Sequence, residues 1–197
     1  MMSWTPGALL NFETPRLIVR SMAREDVTPE FISWMADPEV MVGLNLPRQR
    51  LTRAQAVRWV LSHDNVKRFI VLVIDKDSDK PVGFFTITVE NVHETAETSV
   101  VIGNHDYWGK NIVVEARTAL LDFLFETVGV HKVIGRPHGR NFSSIFNYKA
   151  MGFTCEAVLR QQMRAISGEA RLDQMIFGLL KEEWQAAQEA KAAKGAA

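Results

Sequence analysis

Apolar residues between positions 68 and 103 fall into three compact runs, RFIVLVID, VGFFTITVEN and TSVVIG, separated by the polar segments KDSDKP and NVHETAE. Runs of this length, rich in Val, Ile, Thr and Phe and bounded by turn-forming residues, predict an antiparallel three-strand meander. The pattern ahead of them has another period. LIVR at residues 17–20 reads as a short strand, and Glu25-Asp26 opens a helical segment in which Val27, Phe31, Trp34 and Met35 recur at helical spacing. A second helix is signalled by Thr52 as its cap, with Ala56, Trp59, Val60 and His63 following. After the meander, a helix is expected over residues 111–128, stopped by Gly129 in the usual C-terminal position. HKVIGRP is a further strand, residues 141–151 a short helix ending at Gly152, and residues 153–164 and 171–180 two closing strands joined at Ser167-Gly168. No repeat is present. The terminal AAQEAKAAKGAA is low in complexity and is expected to fray, which divides the chain into a domain over residues 1–184 and a tail over 185–197.

Composition narrows the class without naming a chemistry. A chain of 197 residues with 47% apolar and 23% charged content suits one well-cored domain. Lysine plus arginine and aspartate plus glutamate are equal at 23 each, so no global field draws the chain to nucleic acid or to an anionic membrane. The start MMSWTPGALL lacks a basic region followed by a long apolar core, and no run has the length of a membrane span. A single cysteine, Cys155, excludes an internal disulfide framework and is read as a core residue; the expected compartment is the cytoplasm. His63, His93, His105, His131 and His138 show no paired metal spacing and are read as surface or core histidines, so no metal site is expected.

The segment DYWGKNIVVEA, residues 106–116, sets two aromatics, a glycine and a lysine directly ahead of an apolar helical run. A helix start leaves backbone N–H groups without intrahelical partners and carries partial positive charge, which suits a phosphate. The plainer alternative is a capped core helix, since Ile112, Val113, Ala116, Leu120, Phe123 and Leu124 form a broad apolar face.

In order and spacing these segments resemble the GNAT superfamily of acyl-CoA-dependent N-acetyltransferases. ETPRLIVRSMAREDV and ADPEVM are similar to the opening of the branch containing the ribosomal-protein N-terminal (alanine/serine) acetyltransferases. AETSVVIGNHDYWGKNIVVEA resembles that branch's central strand and pyrophosphate loop, and NFSSIFNYKAMGF its C-terminal helix motif. The resemblance covers residues 12–184. It implies an α/β (α+β) fold, a single domain with a central mixed, mostly antiparallel sheet of six to seven strands flanked by helices. It also implies acetyl-CoA as acyl-donor cosubstrate. The pyrophosphate loop maps to Trp108, Gly109, Lys110, Asn111, Ile112 and Val113, with Asn111 and Val113 standing where the superfamily has small residues. Asparagine tolerates a left-handed backbone better than other non-glycine residues, whereas Val113 adds a branched side chain where close approach to phosphate is expected.

Acyl transfer to an amine needs a neutral amine, a polarised thioester and a proton for the leaving thiolate. By resemblance, Glu97 is the carboxylate that takes the amine proton. Val100, Val101 and Ile102 supply backbone N–H groups to the thioester and pantetheine arm, because a splayed strand leaves them unpaired. Tyr148 is the phenol that protonates the thiolate, and a phenol holds its proton at neutral pH. Asn141 caps its helix, meets the cofactor, or both. The alternatives for Glu97 and Tyr148 are an exposed strand-edge carboxylate and a packing tyrosine.

The expected activity is direct transfer of an acetyl group from acetyl-CoA to a primary amine in a ternary complex. The acceptor is either a protein N-terminus or a small amine. Segments LNLPRQRLTR and VENVHETAE are candidates for its groove, where Arg48, Arg50, Arg53, Glu90 and Glu94 would read charge. Monomer and homodimer both remain open. A module that binds acyl-CoA but has lost turnover is the alternative that Asn111 and Val113 motivate.

Overall fold

The computed structural model describes residues 4–195. Eight strands form one sheet: β1 (Asn11–Glu13), β2 (Leu17–Ser21), β3 (Arg68–Asp75), β4 (Lys80–Glu90), β5 (Thr95–Ile102), β6 (Lys132–Gly135), β7 (Thr154–Arg164) and β8 (Arg171–Leu180), in spatial order β1-β2-β3-β4-β5-β6-β8-β7. Every neighbouring pair is antiparallel except β5 with β6. The sheet therefore has one strand more than the six to seven expected. The extra one is β1, whose three residues are too short to display an alternation; its Phe12 is buried against Phe123.

Both faces of the sheet are covered, so its central strands are apolar nearly throughout, as in RFIVLVID. One face carries Val19, Phe69, Val71, Phe85, Ile87 and Ala96 against α4 (Ile112–Asp122) and α5 (Phe142–Ala150). The other carries Ile70, Leu72, Phe84 and Val101 against α1 (Pro29–Ala36), α2 (Pro38–Leu44) and α3 (Arg53–Leu61). The first helical segment begins later than Glu25-Asp26 implied, because those residues close a single 3-10 turn; Thr28 caps Phe31 N–H and Pro29 occupies the first helical position. Thr52 and Gln55 form a reciprocal capping box on α3. α4 continues through a wider π turn, Phe123–Val128, and stops at Gly129, whose φ of 82° lies in the left-handed region. The tail expected to fray is instead helical as α6 (Lys181–Gly195), which Trp184 anchors by burying its ring and donating Nε1–H to Asp122. Only residues 196–197 of that tail lie outside the described part. Cys155 is exposed rather than core, because β7 is an edge strand with most of its residues open to solvent. Among the described residues, no helix is long and apolar enough to cross a membrane.

One polar cluster fixes where α4 begins. Glu115, in its first turn, accepts from the Thr14 hydroxyl at 2.6 Å, the Arg16 backbone N–H at 2.9 Å and Arg16 Nε at 2.6 Å. Arg16 Nη2 in turn donates to the carbonyl of Lys110. The turn joining β1 to β2 thus holds both α4 and the loop ahead of it. Burial works to raise the Glu115 pKa, but these donors outweigh it and leave the carboxyl below its ordinary 4.5. Glu115→Ala should lower stability by about 1 kcal/mol at neutral pH, roughly 2–4 °C in Tm, the cluster being partly solvent-screened. A depressed folded-state pKa stabilises above the unfolded value, so the Tm difference should be full at pH 7 and shrink as the pH falls below 4.5, read by melting both proteins across pH.

Candidate active site

The parallel pairing of β5 with β6 consists of Thr95–Lys132, Ala96–Val133 and Glu97–Ile134, and then ends. β5 runs on to Ile102 with β4 on its other side only. Strand alternation decides which backbone groups this leaves free. Glu94 O accepts from β6-side N–H groups of His131 and Lys132, whereas Gly103 N–H donates to Val82 at the end of the β4 ladder. Even-numbered residues of β5 therefore turn their N–H and C=O toward the gap. Two of those carbonyls are taken by side chains: Thr98 O by the Tyr148 hydroxyl at 3.3 Å, and Ile102 O by Trp108 Nε1 at 2.9 Å. Val100, between them, faces the gap with its own N–H and C=O, while Val101 turns its backbone toward β4.

A cleft of about 550 Å3 occupies this gap. Val100, Val101 and Ile102 form its floor, Tyr107, Trp108, Gly109, Asn111, Ile112 and Val113 one wall, and the start of α5 from Asn141 to Asn147 the other. Asn111 sits at φ 61°, ψ 17° and gives no side-chain cap to α4. Its left-handed turn is the conformation that asparagine tolerates, and it leaves the first N–H groups of α4 uncapped beside the cleft. Val113 is only half-buried and lines the same wall. The Lys110 side chain does not line the cleft; its Nζ lies 5.3 Å from the centre of the Tyr107 ring.

α2 closes the cleft from the opposite side through Glu39, Val40, Val42, Gly43 and Leu44. It is tied at both ends. Asp37 caps its N-terminus and brings its Oδ2 within 3.1 Å of His105 Nε2, and the His105 ring stacks on Trp108 at 4.1 Å. At its C-terminal end the Gly43 carbonyl meets His138 Nε2 at 3.0 Å and Asn141 Nδ2 at 2.7 Å. Asn141 uses its remaining oxygen to cap Ser144 N–H, so its side chain serves the helix and the cleft wall at once. Phe142 and Phe146 lie on the rim with most of their rings in solvent. Among the described residues, no group of three His, Cys, Asp or Glu side chains could hold a metal ion.

The two proton-transfer candidates lie at different depths. Tyr148 is 3% exposed, stacks on Phe177 at 5.3 Å and reaches the apex of the gap from beneath rather than from the cleft wall. Glu97 lies at the last paired position of β5, half-exposed, and accepts from Arg136 Nε at 2.9 Å. On the strand it shares the face of Ser99 and Val101, and Val101 packs toward α1–α3, so Glu97 opens on the side opposite α4. The structure places both candidates at the end of the β5–β6 pairing without bringing their polar atoms together. Sequence reasoning missed α2, His105, His138, Phe142 and Phe146.

The Acetyltransferase (GNAT) domain family matches residues 16–154, and the chain belongs to that family. An uncharacterised N-acetyltransferase of Bacillus licheniformis, p20, is 29% identical over 180 residues, spanning 87% of this chain and 96% of its own length. The uncharacterised N-acetyltransferase YnaD of Bacillus subtilis is 25% identical over 181 residues, spanning 89% and 99%. Among solved structures, spermidine N-acetyltransferase from Vibrio cholerae in complex with CoA and spermine has a TM-score of 0.78 at 16% identity, over 87% of this chain and 99% of that one. Ribosomal-protein-S5-alanine acetyltransferase from Vibrio fischeri has a TM-score of 0.75 at 18% identity, over 89% and 98%. At such identities the likeness establishes the fold.

Gly135, the last residue of β6, makes room for the apex. A Cβ there would overlap the Tyr148 ring tip and hydroxyl. Gly135→Ala should cost roughly 1–3 kcal/mol and lower Tm by about 2–10 °C. The same change in a Tyr148→Ala background should cost far less, which thermal melts of the four proteins would show.

Proposed function

We propose that the protein transfers an acetyl group from acetyl-CoA to a primary amine by direct attack within one ternary complex. The observation that carries this reading is the meeting of two partly unsatisfied backbone arrays in one cleft: the gap-facing groups left free on β5, chiefly those of Val100, and the uncapped start of α4. The first suits an extended amide chain such as pantetheine, which pairs with a strand edge as another strand would. The second suits a pyrophosphate. Trp108, Phe142 and Phe146 on the rim suit an apolar or aromatic portion of the same molecule. The acceptor amine then approaches from the Glu97 face, so donor and acceptor meet where the β5–β6 pairing ends.

In this reading Glu97, directly or through water, takes a proton from the ammonium form of the acceptor. The neutral amine attacks the thioester carbon, the nitrogen releases its second proton to water, the C–S bond breaks, and the Tyr148 phenol gives its proton to the departing sulfur. The hydrogen bond from Tyr148 to Thr98 O is long for an O–H donor and is readily exchanged for one to sulfur. Relatives in fold include a spermidine and a ribosomal-protein-alanine acetyltransferase, and both a small amine and a protein N-terminus fit as acceptor classes. The reading places the enzyme in the cytoplasm.

Thiol release from acetyl-CoA, followed over a panel of polyamines, amino acids and short peptides, tests the activity, and a module that only binds acyl-CoA would release none. With the best acceptor, Tyr148→Phe should lower kcat about 10²-fold and leave CoA affinity within a few-fold. Parent-like kcat would remove Tyr148 from the mechanism. The phosphate end is tested separately by calorimetry with CoA. Asn111→Gly keeps the left-handed turn and should retain or improve affinity, whereas Asn111→Val forces a β-branched residue to positive φ, at roughly 1–3 kcal/mol of strain, and should weaken it.

A further inference from the structure

Arg117, in the middle of α4, is 1% exposed, and among the described residues none of its three guanidinium nitrogens has a hydrogen-bond partner. Among the described residues no carboxylate pairs with it. Its guanidinium carbon lies 4.5 Å from the centre of the Tyr148 ring and 5.4 Å from that of Phe85. A second orphan lies next to this spot: the Thr98 hydroxyl is buried without a partner, on the strand position opposite Ile87 and one same-face step from the Phe85–Val100 pair. The Tyr148 hydroxyl donates to the carbonyl of that same Thr98. A cation stacked on a phenol ring and a buried hydroxyl on the strand that the phenol bonds thus lie beneath the region where β5 and β6 part.

A buried charge with no counter-ion is costly, and an apolar side chain of like volume is usually as good or better for stability. Burial pushes the Arg117 pKa down and the neighbouring Tyr148 opposes that fall, but an arginine has far to fall before it loses its charge. Two aromatic faces recover part of the cost by cation–π attraction. What remains is a fixed positive field directed at one phenol.

We propose that Arg117 is a positioning residue for acetyl transfer, its buried guanidinium stabilising the negative charge that develops on Tyr148 as the phenol protonates the leaving thiolate. The inference rests on the proton-donor reading of Tyr148. In the step concerned the Tyr148 O–H bond breaks as an S–H bond forms on CoA; the phenolate left behind regains its proton from water after the products depart. Arg117 transfers no proton and touches no substrate. Its contribution comes from a charge already in place against the buried phenol ring, so little reorganisation is needed as the phenolate forms.

Parent, Arg117→Met, Arg117→Lys, Tyr148→Phe and the Arg117→Met/Tyr148→Phe double variant would be compared for kcat, KM for acetyl-CoA and Tm, with one acceptor. Arg117→Met should lower kcat about 10-fold and leave KM within about twofold, and Arg117→Lys should recover most of the loss. Arg117→Met should also melt at the parent temperature or several degrees above it, because an uncompensated charge has been removed. In the Tyr148→Phe background it should change kcat no further, since no phenolate then forms. A parent-like kcat, an equal loss in both backgrounds, or a Tm that falls with kcat would overturn the proposal; so would an Arg117→Met protein that does not fold. A Tyr148→Phe enzyme working at the parent rate would instead overturn the proton-donor reading on which the proposal stands.

Discussion

The site exists because two parallel strands stay paired for three residues and then part. A strand interior to a sheet must place every N–H and C=O, and β5 beyond Glu97 has lost one of its two neighbours. Its gap-facing groups are partly met by side chains from flanking elements. Trp108 takes the carbonyl at the far end and Tyr148 the one at the apex, so the elements that wall the cleft are held by the same backbone groups whose pairing was interrupted. Gly135 belongs to this constraint, because only a residue without Cβ lets the Tyr148 ring tip reach the apex.

A second consequence concerns α2. It is only seven residues long, too short to hold itself in place by its own hydrogen bonds. It is positioned by contacts at its ends: Asp37 to His105 at one, the Gly43 carbonyl to His138 and Asn141 at the other. Since His105 also stacks on Trp108, the loop that caps β5, the helix that roofs the cleft and the start of α5 form a connected frame. Glu115 and Arg16 anchor that frame to the first hairpin from outside.

Much of this was legible in the sequence, and the unread part has physical reasons. The meander could be read because β-branched and aromatic runs between polar turns have few other stable uses. The α4 boundaries could be read because Gly129 terminates the helix and Asn111 tolerates the turn that starts it. β1 and α2 left no readable pattern because three and seven residues hold fewer than two full repeats of their period. His105 and His138 were set aside for lacking metal spacing, yet their work is to bridge elements far apart in sequence, which no local pattern records. Cys155 in a strand reads as core, but its strand lies at the sheet edge and leaves it exposed. Arg117 did leave a signal. It falls on the same helical face as Val113, Ala116, Leu120 and Leu124, where a charged residue contradicts the burial of its neighbours.

That contradiction bears on how stability and chemistry divide within α4. Its first turn handles charge by exposing backbone N–H groups at an uncapped end. Its middle turn buries a charge that, among the described residues, has no hydrogen-bond partner. Local propensity, capping and core packing elsewhere in the chain agree with the fold, as in the Thr52–Gln55 box and the continuous apolar runs of β3 and β4. Departures from such agreement are expected where function is carried. Positive φ also occurs away from the gap, at Asn45, Asn65, Asp79 and Gln161, but among the described residues Asn111 at positive φ, Thr98 and Arg117 without hydrogen-bond partners, and β5 without its neighbour lie about one gap. Scattered departures would be attributed to tolerance, but several meeting at the point where one sheet divides require a common cause. In the proposed reading, that cause is a strand-like ligand, its anionic end and a proton donor beneath it, all meeting at that point.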